Sequence, residues 1–399
     1  MVLRRHGSST RPSAALACLA ALAVIGAACR GALGPGSDAA PRPAEVEAAP
    51  LFRVYEHRAM GTLFTLSLWA PDLDLADRAA AAAFQRVDRV EAVATDYAAT
   101  SEARRLPVTS SGEWVEVSAE LGRVLSATAG LVPLAQGAFD PTVGVLTHHW
   151  RRALRQGQWP DQAAWDQAAA RLGWSALVQV DGDVTRGTQR CRVLDPQLRL
   201  DFGGVAKGVA VDEALAEVEA HGIRSALMDG GGDLRALDPP PGSAGWRVEV
   251  LPFGQKSQRR LRFLLARAAI ATSGDVYRSG ALEGEPLAGL SGPGAERSAM
   301  HYGHVIDPRS ALPLPSPRAS VMTAATAAEA DALATARLVI GPLRTGVTAL
   351  ERGLFFAGED QEPCVGERFP HDGAVPVPTV TPKADLPGST ESLQRQRDA

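Results

Sequence analysis

Around residue 200 the sequence has the pattern of a strand, a glycine turn and a helix in immediate succession. Residues 198–202 alternate apolar and polar side chains as a strand does, and residues 209–218 have the apolar spacing of an amphipathic helix. The turn between them is Asp201-Phe-Gly-Gly-Val-Ala-Lys-Gly208. Free N–H groups at a helix start suit an anion. The turn matches neither the Walker A nor the dinucleotide GxGxxG pattern, so it predicts either a phosphate-bearing ligand near Asp201 and Lys207 or a closely packed structural turn.

Composition and periodicity favour a mixed α and β enzyme. The chain has 399 residues, 45% hydrophobic and 22% charged, enough for one large domain or two ordinary ones. Its net charge of -4, without a basic run after the leader, argues against a nucleic-acid partner. Helical spacing covers residues 74–93, 118–135, 165–172, 209–222 and 327–338, and strand patterns cover 52–70, 176–180, 192–200, 225–229, 246–251 and 260–270. We therefore expect an α+β fold without internal repeats.

The N-terminus has the pattern of an export signal. Arg4, Arg5 and Arg11 precede an apolar run over residues 14–28, which ends in Gly26-Ala-Ala-Cys29. Residues 1–28 are therefore predicted to be a signal peptide, and cleavage before Cys29 would allow lipidation, as at the bacterial lipobox that this segment resembles. Gly26 departs from the usual leucine-like residue, so an ordinary signal cut near Ala28 and an uncleaved anchor stay open. We expect an exported protein on the periplasmic face of a bacterial membrane, held there by a lipid on Cys29.

The remainder of the chain divides into three parts. Residues 29–50 contain several prolines and read as a tether, residues 51–370 as the folded domain, and residues 371–399 as a polar tail. Outside the leader the domain has two cysteines, Cys191 and Cys364, without CxxC spacing, which argues against a thiolate metal site or a redox dithiol. A disulfide between them is left open, because sequence does not tell whether their Cα atoms approach each other.

Two hard oxygen donors share one face of the helix predicted at residues 327–338. Asp331 and Thr335 are four residues apart, so their side chains are neighbours. Mg²⁺ prefers a few such oxygens together with substrate phosphates. The alternative is a solvated polar face on an alanine-rich helix.

The segment His301-Tyr-Gly-His304-Val-Ile-Asp307 offers a proton carrier and a carboxylate three residues apart. Because histidine titrates near neutral pH, His304 suits general acid–base work. His301, His148 and His149 could suggest zinc, but no HExxH motif or cysteine pair supports it. A hydrogen-bonded strand histidine followed by an Asp-Pro turn is the structural alternative.

These fragments stand in one order with several others, and together they resemble the FAD:protein FMN transferase (ApbE) family. The resemblance covers about residues 51–345. The motifs that carry it are Met60-Gly-Thr62, Thr95-Asp-Tyr97 with Ser101-Glu102 and Arg105-Leu106, Gly137-Ala-Phe-Asp-Pro-Thr-Val-Gly144, Asp201 to Gly208, Gly231-Gly-Asp233, Ala271-Thr-Ser-Gly-Asp275, His304-Val-Ile-Asp-Pro-Arg309 and Ala330-Asp-Ala-Leu-Ala-Thr335.

The resemblance implies a single ApbE-type flavin transferase domain and a set of site residues. The implied magnesium ligands are the Gly204 carbonyl, Asp331 and Thr335. His304 is our candidate for handling the acceptor proton, with Asp307 orienting it or shaping the loop. The implied flavin contacts are Met60, Tyr97, Ala138, Phe139, Asp140, Asp201, Lys207 and the backbone near Val305.

Several positions depart from the family pattern. Ser310-Ala311 replaces a usual Thr-Gly, Pro107 stands where asparagine is common, and Val209 stands where an aromatic residue is frequent. None of them removes an implied ligand. Residues 279–300 are longer and richer in glycine than usual, which bears on the groove for the acceptor peptide more than on flavin binding.

The activity implied by the resemblance is magnesium-dependent transfer of FMN from FAD to a Ser or Thr hydroxyl of a target flavoprotein, with release of AMP. Mg²⁺ is the implied cofactor, FAD the substrate and an exported flavoprotein the partner. FAD hydrolysis to FMN and AMP, and a non-catalytic FAD-binding lipoprotein, are the alternatives.

Overall fold

The structure is a computed structural model that describes residues 49–183, 186–254, 257, 259–275, 279–290, 301–342, 352–358 and 360–365. The helices are α1 Leu73–Ala94, α2 Glu102–Ser110, α3 Ala119–Leu131, α4 Gly144–Gln156, α5 Gln162–Ala169, α6 Trp174–Leu177, α7 Ala206–Ala220 and α8 Ala327–Ile340. The strands are β1 Leu51–Ala59, β2 Thr62–Ala70, β3 Val115–Glu116, β4 Val178–Asp181, β5 Arg190–Val193, β6 Ser225–Gly230, β7 Asp233–Ala236, β8 Trp246–Val250, β9 Leu261–Leu265, β10 Ala269–Gly274, β11 Ser279–Gly280, β12 Tyr302–Asp307, β13 Leu312–Pro315, β14 Ala319–Ala324, β15 Gly353–Phe356 and β16 Cys364–Val365.

An eight-stranded antiparallel sheet in the order β1-β2-β6-β7-β10-β14-β15-β16 organises the fold. Helices α1, α7 and α8 pack with it around the largest apolar core, to which β2 contributes Phe64, Leu66 and Leu68. The hairpin β8–β9 contributes to a second core, together with residues of β7, β10, β14 and β15. The central sheet is therefore covered by apolar packing on both faces, and its strand ends carry the loops that form the site.

A third apolar cluster joins α4 and α5 to β12. Trp150 of α4 is fully buried there, and its indole N–H donates to the Gly303 carbonyl at 2.7 Å. Trp165 of α5 donates in the same way to the Ala311 carbonyl at 2.9 Å. The first bond joins the strand that carries His304 to α4, and the second joins α5 to the turn after that strand.

Most predicted elements are confirmed, with shifted ends. The pattern over residues 52–70 forms the β1–β2 hairpin, whose turn residues Met60 and Gly61 have φ of 51° and 72°. The helices predicted at 74–93, 118–135, 209–222 and 327–338 correspond to α1, α3, α7 and α8, and the helix at 165–172 begins and ends about three residues earlier as α5. The mixed α+β class is confirmed as well.

The predicted strand at residues 198–202 is wrong, and the one at 192–200 ends at Val193. The alternation is real, because Leu198, Leu200 and Phe202 are all buried. However, the backbone does not join a ladder: the N–H of Asp201 donates to the Pro141 carbonyl at 2.8 Å, ahead of α4. An irregular segment whose alternate side chains enter the main core can thus show the burial pattern of a strand.

Three sequence predictions lie outside the described residues: the signal peptide at 1–28, almost all of the tether at 29–50 and the tail at 371–399. The last ten residues of the segment at 279–300 are outside as well. No helix within the described ranges is long and apolar enough to cross a membrane. Cys191 is buried and Cys364 is exposed, and the structure has no disulfide between them.

Candidate active site

A lysine between two buried aspartates forms the centre of the candidate site. Lys207 lies on the first turn of α7, where its Nζ is 2.9 Å from Oδ2 of Asp233 and 3.2 Å from Oδ2 of Asp331. It also donates to the Gly203 carbonyl at 3.3 Å. The N–H of Gly208 donates to Oδ2 of Asp331 at 3.2 Å. We call Lys207, Asp233 and Asp331 the lysine cluster.

The lysine cluster has more negative than positive charge. Both carboxylates are almost completely buried, at 2% exposure each. Burial would lower the pKa of Lys207, but the carboxylates of Asp233 and Asp331 raise it above its usual value. Burial and the Asp331 carboxylate raise the pKa of Asp233 to about 7, although Lys207 opposes this. Two carboxylates and one ammonium leave a deficit of positive charge, which a cation would relieve.

The three implied magnesium ligands lie together. A Cβ at Gly204 would lie 2.8 Å from Oγ1 of Thr335, so only glycine lets the backbone come this close to the hydroxyl. Thr335 lies one turn after Asp331 on α8, and its Oγ1 is 3.2 Å from Oγ of Ser273. A carbonyl, a carboxylate and a hydroxyl are the oxygen donors that Mg²⁺ prefers, so these residues fit that ion.

A cavity of about 420 Å³ lies on the β8–β9 side of the central sheet, and neither the lysine cluster nor an implied metal ligand lines it. Thr62 of the β1–β2 hairpin lines it, as do Gly231 and Gly232 beside Asp233 and Thr272 beside Ser273. Oγ1 of Thr272 is buried and has no hydrogen-bond partner within the part of the chain that the structure describes. Because successive residues of a strand point to opposite faces, this hydroxyl faces away from Ser273 and Thr335 and is not part of the implied metal site.

A second charged group surrounds Asp201. Arg151 of α4 places Nη1 2.5 Å from Oδ2 of Asp96 and Nη2 2.7 Å from Oδ2 of Asp201. Thr147 Oγ1 donates to the same Asp201 oxygen at 2.8 Å, and the N–H of Gly203 donates to Oδ1 at 2.9 Å. We call Asp96, Arg151 and Asp201 the arginine cluster.

Within the arginine cluster the two carboxylates differ in acidity. Burial would raise the pKa of Asp201, but Arg151 and the bonds from Gly203 and Thr147 hold it below its usual value. Burial and the Asp201 carboxylate raise the pKa of Asp96, against the effect of Arg151. Asp201 is therefore the carboxylate that is held in its charged form.

The predicted flavin contacts at Met60 and Tyr97 lie on loops. Met60 is the left-handed first residue of the hairpin turn and packs partly against the main core. Tyr97 is 70% exposed, and the Arg151 guanidinium lies over its ring, 4.8 Å from the centroid. An exposed ring held by a cation from below offers its other face to a planar ligand.

The turn at residues 137–140 has a structural role that its sequence did not reveal. Phe139 is buried, and its ring lies beside Gly204, while Ala138 is buried in the main core. Oδ1 of Asp140 accepts from the N–H and the hydroxyl of Thr142 at 2.8 and 2.6 Å, and Oδ2 accepts from the N–H of Trp174 at 3.0 Å. Asp140 therefore shapes the loop, and its contact with flavin stays a prediction.

His304 and Val305 lie on β12, and Val305 packs against the main core. The positive charge of a protonated His304 helps to lower the pKa of Asp201, which places the two side chains near each other. Asp307 turns elsewhere: its oxygens accept from Arg309, with Nε at 2.9 Å and Nη2 at 2.7 Å. These bonds are local to the loop, and both roles predicted for Asp307 stay predictions.

Sequence reasoning did not find Thr147 and Arg151, and it recognised Asp96 and Ser273 only as parts of motifs. Asp233 was recognised only as part of a motif. Each acts on a residue more than 25 positions away, so local spacing contains no signal for it. The predicted absence of a zinc site remains a prediction, and the described ranges contain no group of three or more His, Cys, Asp or Glu residues suited to a metal.

Comparison with known proteins identifies the family. The model of the ApbE family matches residues 60–353. A FAD:protein FMN transferase of Rhodobacter capsulatus is 31% identical over 235 residues, which are 58% of this chain and 40% of that protein. A FAD:protein FMN transferase of Escherichia coli K12 is 26% identical over 323 residues, 80% of this chain and 87% of that protein.

Solved structures share the fold. The flavin transferase ApbE from Vibrio cholerae superposes with a TM-score of 0.64 at 21% identity, covering 80% of this chain and 98% of that one. With the family model matching well over half of its length, the chain belongs to the ApbE family.

Proposed function

We propose that this protein is a magnesium-dependent FAD:protein FMN transferase. It cleaves the pyrophosphate of FAD, attaches FMN through a phosphodiester to a Ser or Thr hydroxyl of a target flavoprotein, and releases AMP. The observation that carries the proposal is the lysine cluster beside the oxygens of Gly204 and Thr335, which suits a cation and a pyrophosphate. The names of the relatives support the same reaction.

The metal would be held by the Gly204 carbonyl, Asp331 and Thr335. When bound, Mg²⁺ supplies charge neutralisation for the pyrophosphate oxygens. Lys207 adds a compact positive charge within reach of the same oxygens, and it is held in place by Asp233 and Asp331.

Flavin binding falls to residues around the arginine cluster. Tyr97 offers an exposed ring, Phe139 fills the space beside Gly204, and Met60 closes the hairpin turn. Asp201, kept ionised by Arg151, supplies a fixed acceptor for an N–H group of the ligand. Binding thus orients FAD so that its pyrophosphate meets Lys207.

The transfer step needs an acceptor hydroxyl and a place for its proton. The hydroxyl oxygen forms a bond to the phosphorus on the FMN side, the bond to the AMP phosphate breaks, and the hydroxyl proton passes to an imidazole nitrogen of His304. AMP leaves with the bridging oxygen. His304 lies near Asp201, whose negative charge favours the imidazolium that results.

The test is incubation of the protein with FAD, Mg²⁺ and a Thr-containing segment of a flavoprotein, followed by mass measurement of the segment. We expect a gain of one FMN, lost in Asp331→Ala. Absence of that gain on every plausible acceptor would reject the transferase. Fast release of FMN and AMP without acceptor would instead identify a hydrolase. Tight FAD binding without cleavage, unchanged in Asp331→Ala, would identify a flavin-binding protein.

We also propose that the protein is exported and anchored on the periplasmic face by a lipid on Cys29. The support is the charged and apolar leader that ends in Gly26-Ala-Ala-Cys29. Mass analysis of the N-terminal peptide should find a lipid on Cys29, and Cys29→Ser should release the protein from membranes. An unmodified Cys29 in the mature protein would contradict the anchor.

A further inference from the structure

A second cavity, of about 380 Å³, has a strongly basic lining. It lies between α2, α4, α5 and the segment before Asp201, and none of the residues predicted to contact flavin or metal lines it. Within the described chain its ionisable lining residues are all basic, and we call them the basic pocket: Arg104, His148, His149, Arg171 and Arg199. The whole chain has a net charge of -4, so the positive charge of the basic pocket is a local concentration of basic residues.

Most of this charge is not neutralised by the protein. Arg171 is paired with Asp195 and donates to Gln197. Arg199 donates to the backbone carbonyl of Asp96 at 2.8 Å, but its Nε is 4.0 Å from the Asp96 carboxylate, which Arg151 already engages.

One buried donor of the pocket has no acceptor, and a second arginine has no acidic partner. The Nε of Arg199 is buried and has no hydrogen-bond partner among the described residues. Arg104 has no acidic partner within the same ranges. Both arginines line the cavity. An unbonded guanidinium N–H inside a cavity costs free energy that an anionic acceptor would recover.

The cations also repel each other. Burial and the charge of Arg104 lower the pKa of Arg199. Burial and the charge of Arg199 lower the pKa of His148. Like charges held together in this way raise the local potential and favour the uptake of an anion.

We propose that the basic pocket binds a phosphate-bearing anion of about the size of inorganic pyrophosphate. A phosphate group offers several oxygens and more than one negative charge, which matches the guanidinium groups of Arg104 and Arg199 better than a single carboxylate does. The cavity volume leaves room for a diphosphate or a small organic phosphate. This inference does not depend on the proposed transfer reaction.

The test is calorimetric titration of inorganic pyrophosphate into the full chain in EDTA, which prevents metal-dependent binding at the lysine cluster. We expect wild type to bind and Arg104→Gln to bind at least ~10-fold more weakly. The matched control is Arg105→Gln, which removes the same charge from the next position of α2, where the side chain is exposed. It should bind as wild type does. Gln167→Glu adds a carboxylate at an exposed lining position without changing size and should also weaken binding.

Sedimentation with vesicles of phosphatidylcholine, with and without phosphatidylglycerol, distinguishes the source of the phosphate. Arg104-dependent binding to free pyrophosphate supports the pocket and assigns the phosphate to a soluble molecule. Arg104-dependent binding only to the anionic vesicles supports the pocket and assigns the phosphate to a lipid headgroup. Equal weakening by Arg104→Gln and Arg105→Gln would overturn it, because binding would then follow overall charge. Binding of polyglutamate in place of either phosphate source, or no binding at all, would overturn it too.

Discussion

The lysine cluster and the arginine cluster contain the same set of charges but hold them with different geometry. Each places one cation between two aspartates: Lys207 lies 2.9 and 3.2 Å from Asp233 and Asp331, and Arg151 lies 2.5 and 2.7 Å from Asp96 and Asp201. Lysine has a compact charge on a flexible stem, whereas the arginine fork holds each carboxylate with a separate nitrogen.

Because the two cations hold their carboxylates differently, the two clusters are suited to different roles. An ammonium can shift when a metal or a phosphate enters, because its three donors are not tied to one geometry. A guanidinium that bridges two carboxylates fixes the distance between them and so braces α4 against the loop at residue 96. The lysine cluster is thus suited to exchange partners and the arginine cluster to hold a shape.

The largest effect should come from Asp331→Ala. Removal of this carboxylate takes away a proposed metal ligand and leaves Lys207 paired with Asp233, so folding should persist while FAD cleavage falls at least about a hundredfold. The measurement is AMP release against Mg²⁺ concentration. Asp181→Ala, which breaks an exposed pair with Arg190, is the control and should keep wild-type activity. Retained Mg²⁺-dependent cleavage in Asp331→Ala would show that the lysine cluster does not bind the metal.

Arg151→Lys tests whether the arginine cluster is a brace. One ammonium cannot serve both carboxylates, so we expect a loss of about 2 kcal/mol in the free energy of unfolding. Urea denaturation measures it, with Arg190→Lys as an exposed control. If the two variants are equally stable, the two-sided contact of Arg151 does not brace the fold.

Asp212→Asn addresses how the lysine cluster is positioned. Asp212 of α7 accepts from the first N–H groups of α8, those of Ala327 and Ala328, at 2.9 and 3.0 Å, and from Arg235 of β7 at 2.7 Å. It thereby ties together the three elements that carry the cluster. The variant loses one acceptor, so we expect a loss of about 1 kcal/mol in unfolding free energy and a weaker response to Mg²⁺.

The control for Asp212→Asn is Asp74→Asn, a first-turn acid on α1 that is exposed. Asp74→Asn should change the free energy of unfolding by no more than a few tenths of a kcal/mol, and its response to Mg²⁺ should match that of wild type. A response to Mg²⁺ that is identical to wild type in Asp212→Asn would mean that the cluster keeps its geometry without this link.

The smallest effect should come from Tyr97→Leu. The loss of the cation–π contact with Arg151 should lower stability by only about 0.5 kcal/mol, because the ring is exposed. FAD affinity should fall several-fold if the free face of the ring contacts flavin. Tyr97→Phe keeps the ring and should bind FAD nearly as wild type does. Equal FAD affinity in the leucine variant would remove Tyr97 from the flavin site.

Local patterns predicted some of the elements that carry the site and missed others. The β1–β2 hairpin has strand-like residues on both sides of Met60-Gly61, and α8 is an uninterrupted alanine-rich segment, so both could be predicted from the local sequence. Helix α4 begins at Gly144 and contains polar histidines and arginines, and it was not recognised. The strand expected at residues 198–202 failed because its alternate residues Leu198, Leu200 and Phe202 are buried in the main core without a strand partner for the backbone.

In the site, too, neighbours along one element could be predicted from the sequence, whereas contacts between distant segments could not. Asp331 and Thr335 could be paired because four residues on a helix bring them together. The contacts of Lys207 with Asp233 and of Arg151 with Asp201 join residues 26 and 50 positions apart, and only the fold brings them into contact. Motif resemblance named Asp201 and Lys207, but it did not reveal which ions hold them.

The close contact between α7 and α8 limits which parts of the site can move. A Cβ at Gly208 would lie 2.5 Å from the Cα of Ala328, so α7 and α8 meet backbone to backbone, directly beside Lys207 and Asp331. Helices joined in this way have no side chains between them that could repack to let them separate. We therefore expect these two helices to stay together as substrate enters, and the hairpin turn at Met60 and the loop at Phe139 to make the room for it.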